Sequence, residues 1–145
     1  MKILFSLFII CLSLSATANN DPTKWNLFAS QNGVEIYYKY AQCDLEMGYD
    51  QEWVLLRFVN TAASTKTVKY HKIMEINGVC KTCNDPNGEY SMTVVLRANE
   101  TIEGSCTVYD NAAHHIFSKM TTPNTGIEDK LTAFDLRNLT VTYNE

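Results

Sequence analysis

The residues best suited to chemistry are Cys80 and Cys83, a C-x-x-C pair separated by Lys81 and Thr82. Cysteines at that spacing support three chemistries. A low-pKa thiolate at a helix N-terminus, in a βαβ setting, gives a thioredoxin-like redox site. Two close pairs, or one pair with histidines, give tetrahedral zinc. In an oxidising compartment the same residues close disulfides. Asn77-Gly78 before the pair and Asn84-Asp85-Pro86-Asn87-Gly88 after it describe a loop, without the helix that redox catalysis needs. Cys43 and Cys106 stand singly, whereas zinc favours a second close pair. The expectation is two disulfides among Cys43, Cys80, Cys83 and Cys106, with three connectivities open and no metal.

Other constellations are weaker. Asp44, Glu46, Asp50 and Glu52 surround Gly48, but the order of a calcium-binding EF-hand loop is not met, so a solvated acidic loop is expected. His71 lies among Lys69, Ile73 and Glu75 and reads as a surface residue. His114-His115 precede a strand, so one of the two should point outward. No serine sits in a G-x-S-x-G elbow and no glycine-rich loop forms a phosphate cradle. No catalytic residue and no cofactor is expected.

Aromatics are the remaining signal. Tyr37, Tyr38, Tyr40, Tyr49 and Trp53 crowd the first strand and the loop after it. Alternation turns Tyr37 away from Tyr38 and Tyr40, which places aromatic surface outside the core. Tyr37, Tyr49 and Trp53 are therefore the candidate binding residues, for protein or for carbohydrate.

The elements that must position these residues are strands. Residues 1–18 read as a cleaved export signal: Lys2, an apolar run from Ile3 to about Leu14, then Ala16-Thr17-Ala18. Cys11 leaves with it, and no second apolar segment reaches membrane length, so the mature chain is not expected to span a bilayer. The full chain has 12 basic and 16 acidic residues, net −4. Loss of Lys2 makes the remainder more acidic, which argues against nucleic acid as a partner. Residues 19–32 read as a lead-in, helical or irregular, with Trp25, Leu27 and Phe28 covering one end of the core. Residues 33–145 read as a single domain.

Within that domain Val34, Ile36, Tyr38 and Tyr40 alternate with polar neighbours, as do Tyr90, Met92, Val94 and Leu96. Trp53 to Asn60 is apolar on both faces, the mark of a central strand. Val68, Tyr70, Met74 and Ile76 share one side of the next strand, with Lys72 breaking the pattern. A second alternation follows the Asn99-Glu100 turn, through Ile102, Gly104, Cys106 and Val108. In the last strand the parity slips between Leu136 and Leu139, which a bulge near Arg137-Asn138 repairs. Seven strands without helical periods between them predict an all-β antiparallel sandwich. Strict up-and-down order gathers the four cysteines, the acidic connection and His114-His115 at one end. It sends the loop after Met120 to the other.

The segments GVEIYYKYAQC, EWVLLRFVNTA, VVLRANETIEGSC and LTAFDLRNLTV, with the C-x-x-C loop, resemble a group of small exported bacterial proteins of unknown function. A looser likeness is to immunoglobulin-like accessory domains. The first resemblance implies a periplasmic or secreted protein, and the second implies fold alone. The expected function is non-enzymatic binding of another envelope or extracellular protein. The alternatives are a carbohydrate-binding module, or a thiol-disulfide or zinc-dependent protein using the C-x-x-C loop. Oligomeric state is left open.

Overall fold

The computed structural model describes residues 21–44, 50–85, 87–107, 111–123 and 125–143. The expected export signal, Tyr49 and Glu46 lie outside them. Nine strands follow in order: β1 (Asn26–Gln31), β2 (Val34–Cys43), β3 (Gln51–Asn60), β4 (Lys66–Ile76), β5 (Val79–Cys80), β6 (Ser91–Leu96), β7 (Thr101–Glu103), β8 (His115–Met120) and β9 (Leu131–Tyr143). A single 3-10 turn spans Ala112–His114. All pairings between these strands are antiparallel.

One sheet runs β1-β2-β3, with β7 and β8 sharing the far edge of β3. The other has β4 at its centre, β9 on one edge and β5 and β6 on the other. Val34, Ile36, Val54, Leu56 and Phe58 of the first sheet form one core with Val68, Tyr70, Leu96, Leu136 and Val141 of the second. Burial of each large aliphatic side chain there contributes about 1.5–3 kcal/mol. β3 is covered on both faces, as its sequence predicts. Val54, Leu56 and Phe58 face the core, while Trp53 and Leu55 join Cys43 in a smaller cluster on the outer face.

The count of nine departs from the expected seven at two hairpins. Asn32 and Gly33 lie at φ 49° and 79°, and Asn77 and Gly78 at 51° and 78°. Two consecutive positive φ values make the tight turn whose twist matches paired strands. The first turn makes part of the supposed lead-in a sheet strand, β1, in place of the expected helical or irregular stretch. The second adds β5. Of the alternation expected through Val108, Thr101–Glu103 pairs with β3, while Val108 itself lies outside the described residues.

The slip in β9 falls where parity requires it. Lys69 pairs with Thr140 and His71 with Arg137, so Asn138 and Leu139 together oppose Tyr70. Asn138 takes the left-handed conformation of the bulge, at φ 55°. Leu136 and Val141, five residues apart, therefore both reach the core.

Up-and-down order fails at one place. β7 and β8 are two pieces of one edge, both antiparallel to β3. The chain leaves the edge at Gly104, whose N–H donates to the Leu56 carbonyl at 2.8 Å. It returns at His114, so close that a Cβ on Gly104 would stand 2.2 Å from the His114 carbonyl oxygen. β8 consequently ends beside Gln51 rather than at the opposite end. The loop after Met120 joins the cysteine end, where the Thr121 N–H donates to the Asp50 carbonyl at 2.8 Å. His115 sits against the middle of β3, opposite Leu55.

Candidate functional site

The cysteines do gather toward one end, as the topology predicts. Cys43 lies opposite Gln51, where β2 finishes and β3 begins, and Cys80 lies opposite Glu75, where β4 finishes. The far end holds the β3–β4 connection, with the Asn99 N–H donating to the Ala62 carbonyl. The sulfurs pair as Cys43–Cys106 and Cys80–Cys83. They form two separate bonds rather than a tetrahedral set, and among the described residues no group of three His, Cys, Asp or Glu could hold a metal.

The C-x-x-C ring completes a sheet edge. Thr82, between its cysteines, is 1% exposed. Its hydroxyl donates to the Lys72 carbonyl at 2.7 Å and accepts the Met74 N–H at 2.9 Å. The Thr82 carbonyl lies 2.9 Å from Nε2 of His71. In the gap along β4 between β5 and β6, Thr82 works beside two backbone bonds, from the Lys72 N–H to the Tyr90 carbonyl and from the Lys81 N–H to the Met74 carbonyl, each at 2.9 Å. His71 is correspondingly not the plain surface residue expected, with only 18% of its side chain exposed.

The candidate binding residues have separate fates. Trp53 is buried, stacked on His115 at 4.4 Å, with Nε1 donating to Gln51 Oε1. Its ring is not open for stacking, because Trp25, Cys106 and Phe117 pack around the same cluster. Trp25 covers the outer face of the first sheet, not one end of the core. Tyr49 lies outside the described residues. Tyr37 faces outward as alternation predicts, and it organises a surface.

That surface is built by register. Leu27, Tyr37, Arg57 and Glu103 occupy one row across β1, β2, β3 and β7. Leu27 is 57% exposed. The Arg57 guanidinium lies 5.6 Å from the Tyr37 ring centroid and 5.4 Å from that of Trp25, and Lys39 lies 4.5 Å from Trp25. Each cation over an aromatic face contributes about 0.5–1 kcal/mol at an exposed site. Glu35 accepts the Tyr37 hydroxyl at 2.7 Å, and that bond, more than burial, holds the phenol above its usual pKa. Glu103 pairs with Arg57 at 3.1 Å. Sequence reading named Tyr37 but missed Arg57, Lys39 and Trp25; the signal was their shared parity across strands.

His114 and His115 divide as expected. His114 lies 6.2 Å from the Phe58 ring on the core side, and His115 stacks on Trp53 on the other. In the acidic connection, a hydrogen bond with Asp44 raises the Asp50 pKa. Glu52 is instead engaged by Ser118 Oγ at 2.9 Å and Lys119 Nζ at 3.6 Å.

No family, curated protein or solved structure matches the chain. Two disulfides fit a non-reducing environment. No helix among the described residues is long and apolar enough to cross a membrane.

Proposed function

We propose that this chain is an exported, non-enzymatic, immunoglobulin-like β-sandwich that binds another envelope or extracellular protein. The reading rests on one observation: the outer row Leu27–Tyr37–Arg57, roofed by Trp25. Aromatic and arginine side chains held rigid beside an exposed aliphatic residue are the composition of an interface centre. Their strands fix them before a partner arrives, which lowers the entropy lost on docking.

The test is capture from envelope and culture fractions with the disulfide-bonded protein as bait. A protein that binds the native chain and is lost from the Leu27→Asp and Tyr37→Ala variants supports the reading. Equal recovery by all three baits, or none above background, refutes it.

A further inference from the structure

The second sheet has its own outer face, remote in sequence from the Tyr37 row. His71 stands opposite both Ser91 and Arg137, and Lys69 opposite both Thr93 and Thr140. Two adjacent rows thus carry three basic side chains flanked by three hydroxyls. A hollow of about 260 Å³ opens there, lined by Lys69, His71, Ser91, Thr93 and Asn138 among others. It is smaller than the ~300–1,000 Å³ of sites that enclose drug-sized ligands.

The bulge shapes this hollow. Asn138 is an extra residue on β9 at φ 55°, and it lines the hollow. Bulges re-aim side chains in this way and recur beside functional sites. Among the described residues no acidic one lines the hollow, although the chain carries a net charge of −4. Asp85 lies 4.0 Å from Nδ1 of His71 and is itself engaged by the Tyr90 N–H at 2.8 Å, and Asp135 stands one row further along β9, opposite Ile73. Only 6% of the Asp85 side chain is exposed.

We propose that this hollow binds a compact oxyanion, a phosphate or sulfate group. Lys69, Ser91, Thr93 and Asn138 line the hollow and Arg137 stands opposite His71 beside it, residue types that supply the donors such a group accepts, and charge-assisted bonds are the strongest of them. Three basic groups on two rows suit one anionic group rather than an extended polyanion, which needs a longer basic track. The group is either the free ion or a substituent on a saccharide, whose ring the threonine hydroxyls beside it would meet.

The test is titration of the mature, disulfide-bonded protein, followed by amide NMR at constant ionic strength. The probes are sodium sulfate, sodium phosphate, a sulfated oligosaccharide and its desulfated counterpart. Saturable shifts at Lys69, His71, Ser91, Thr93 and Asn138 are expected. Lys69→Ala and Arg137→Ala should each weaken binding about tenfold, the loss of one charge-assisted bond. Both positions are exposed, so the same spectra report that the variants remain folded. Tighter binding of the sulfated saccharide than of sulfate assigns the saccharide source. Equal or weaker binding assigns the free ion. No saturable shift at these amides, or affinity unchanged in both variants, overturns the proposal.

Discussion

The ammonium of Lys72 donates to the carbonyl of Ala112 across the molecular interior. It ties the central strand of one sheet to the 3-10 turn that interrupts the edge of the other. Lys72 also donates to the His115 carbonyl at 3.1 Å, and Tyr70, two residues earlier, donates its hydroxyl to Ala113. Three carbonyls in and just after the 3-10 turn are thereby engaged from β4. The arrangement buries a cation to organise a turn.

That burial makes stability depend on pH. Desolvation lowers the Lys72 pKa to about 8 from 10.5. Below pH 8 the amine is charged in both states. From pH 8 to 10.5 the unfolded chain holds the extra proton, so stability rises with pH, by up to about 3 kcal/mol. Burial raises the Tyr70 pKa, so unfolded tyrosine ionises first and stability falls again above about pH 10. Urea unfolding from pH 7 to 11 should show a maximum between these limits. Lys72→Met should abolish the rising limb.

The two disulfides should differ in weight. Cys43–Cys106 spans 63 residues and Cys80–Cys83 only 3. Loop-closure entropy assigns about 4 kcal/mol to the first and about 2 kcal/mol to the second. The double variant Cys43→Ala with Cys106→Ala should lose more denaturant stability than Cys80→Ala with Cys83→Ala. Equal losses would contradict the chain-entropy account.

Gly104 should tolerate no side chain. A methyl group there meets the His114 carbonyl at 2.2 Å, a backbone atom held by the returning strand. Gly104→Ala should cost about 1–3 kcal/mol, the range for overpacking, with the loss read as a lower thermal midpoint. An unchanged midpoint would show that the excursion between β7 and β8 yields more easily than its close contacts imply.

Thr82 should matter more than its neighbours in the loop. Thr82→Val keeps the shape and leaves the Met74 N–H and the Lys72 carbonyl without the hydroxyl. The expected cost is about 1–3 kcal/mol. Thr82→Ser should recover most of it, which separates the hydrogen bonds from packing.

Local pattern made much of this architecture readable. Alternation in Val34 to Tyr40 and from Tyr90 to Leu96 predicts strands with the observed faces, and the double-faced run from Trp53 predicts the central β3. Even the bulge at Asn138 follows from one misplaced parity. What alternation cannot convey is direction. β7 and β8 share one edge of β3, and nothing in Ile102 or Ile116 says that a strand has been interrupted rather than reversed. Alternation alone therefore sends the loop after Met120 to the wrong end. The Tyr37 surface was half legible for a similar reason. Parity turns Tyr37 outward, but the partnership with Arg57 depends on which residues pair across strands. Trp53 reads as exposed because the segment that covers it includes Trp25, set in place by the residues of β1 that follow it, a strand hidden in an apparent lead-in. Asn32-Gly33 was the signal for that hairpin.

The pairing of β4 with β9 also sets an order of events. β4 ends at Ile76, whereas its long partner runs from Leu131 to Tyr143, the last strand among the described residues. A polypeptide made N-terminus first presents β4 well before that partner exists. During this interval Ile73 and Ile76, both buried in the finished protein, have one bare edge beside them. Contacts so distant in sequence form slowly, because the loop must close before they contribute. Exposed edges invite pairing with other chains. The second sheet is completed last, and until then the chain is most open to misassociation.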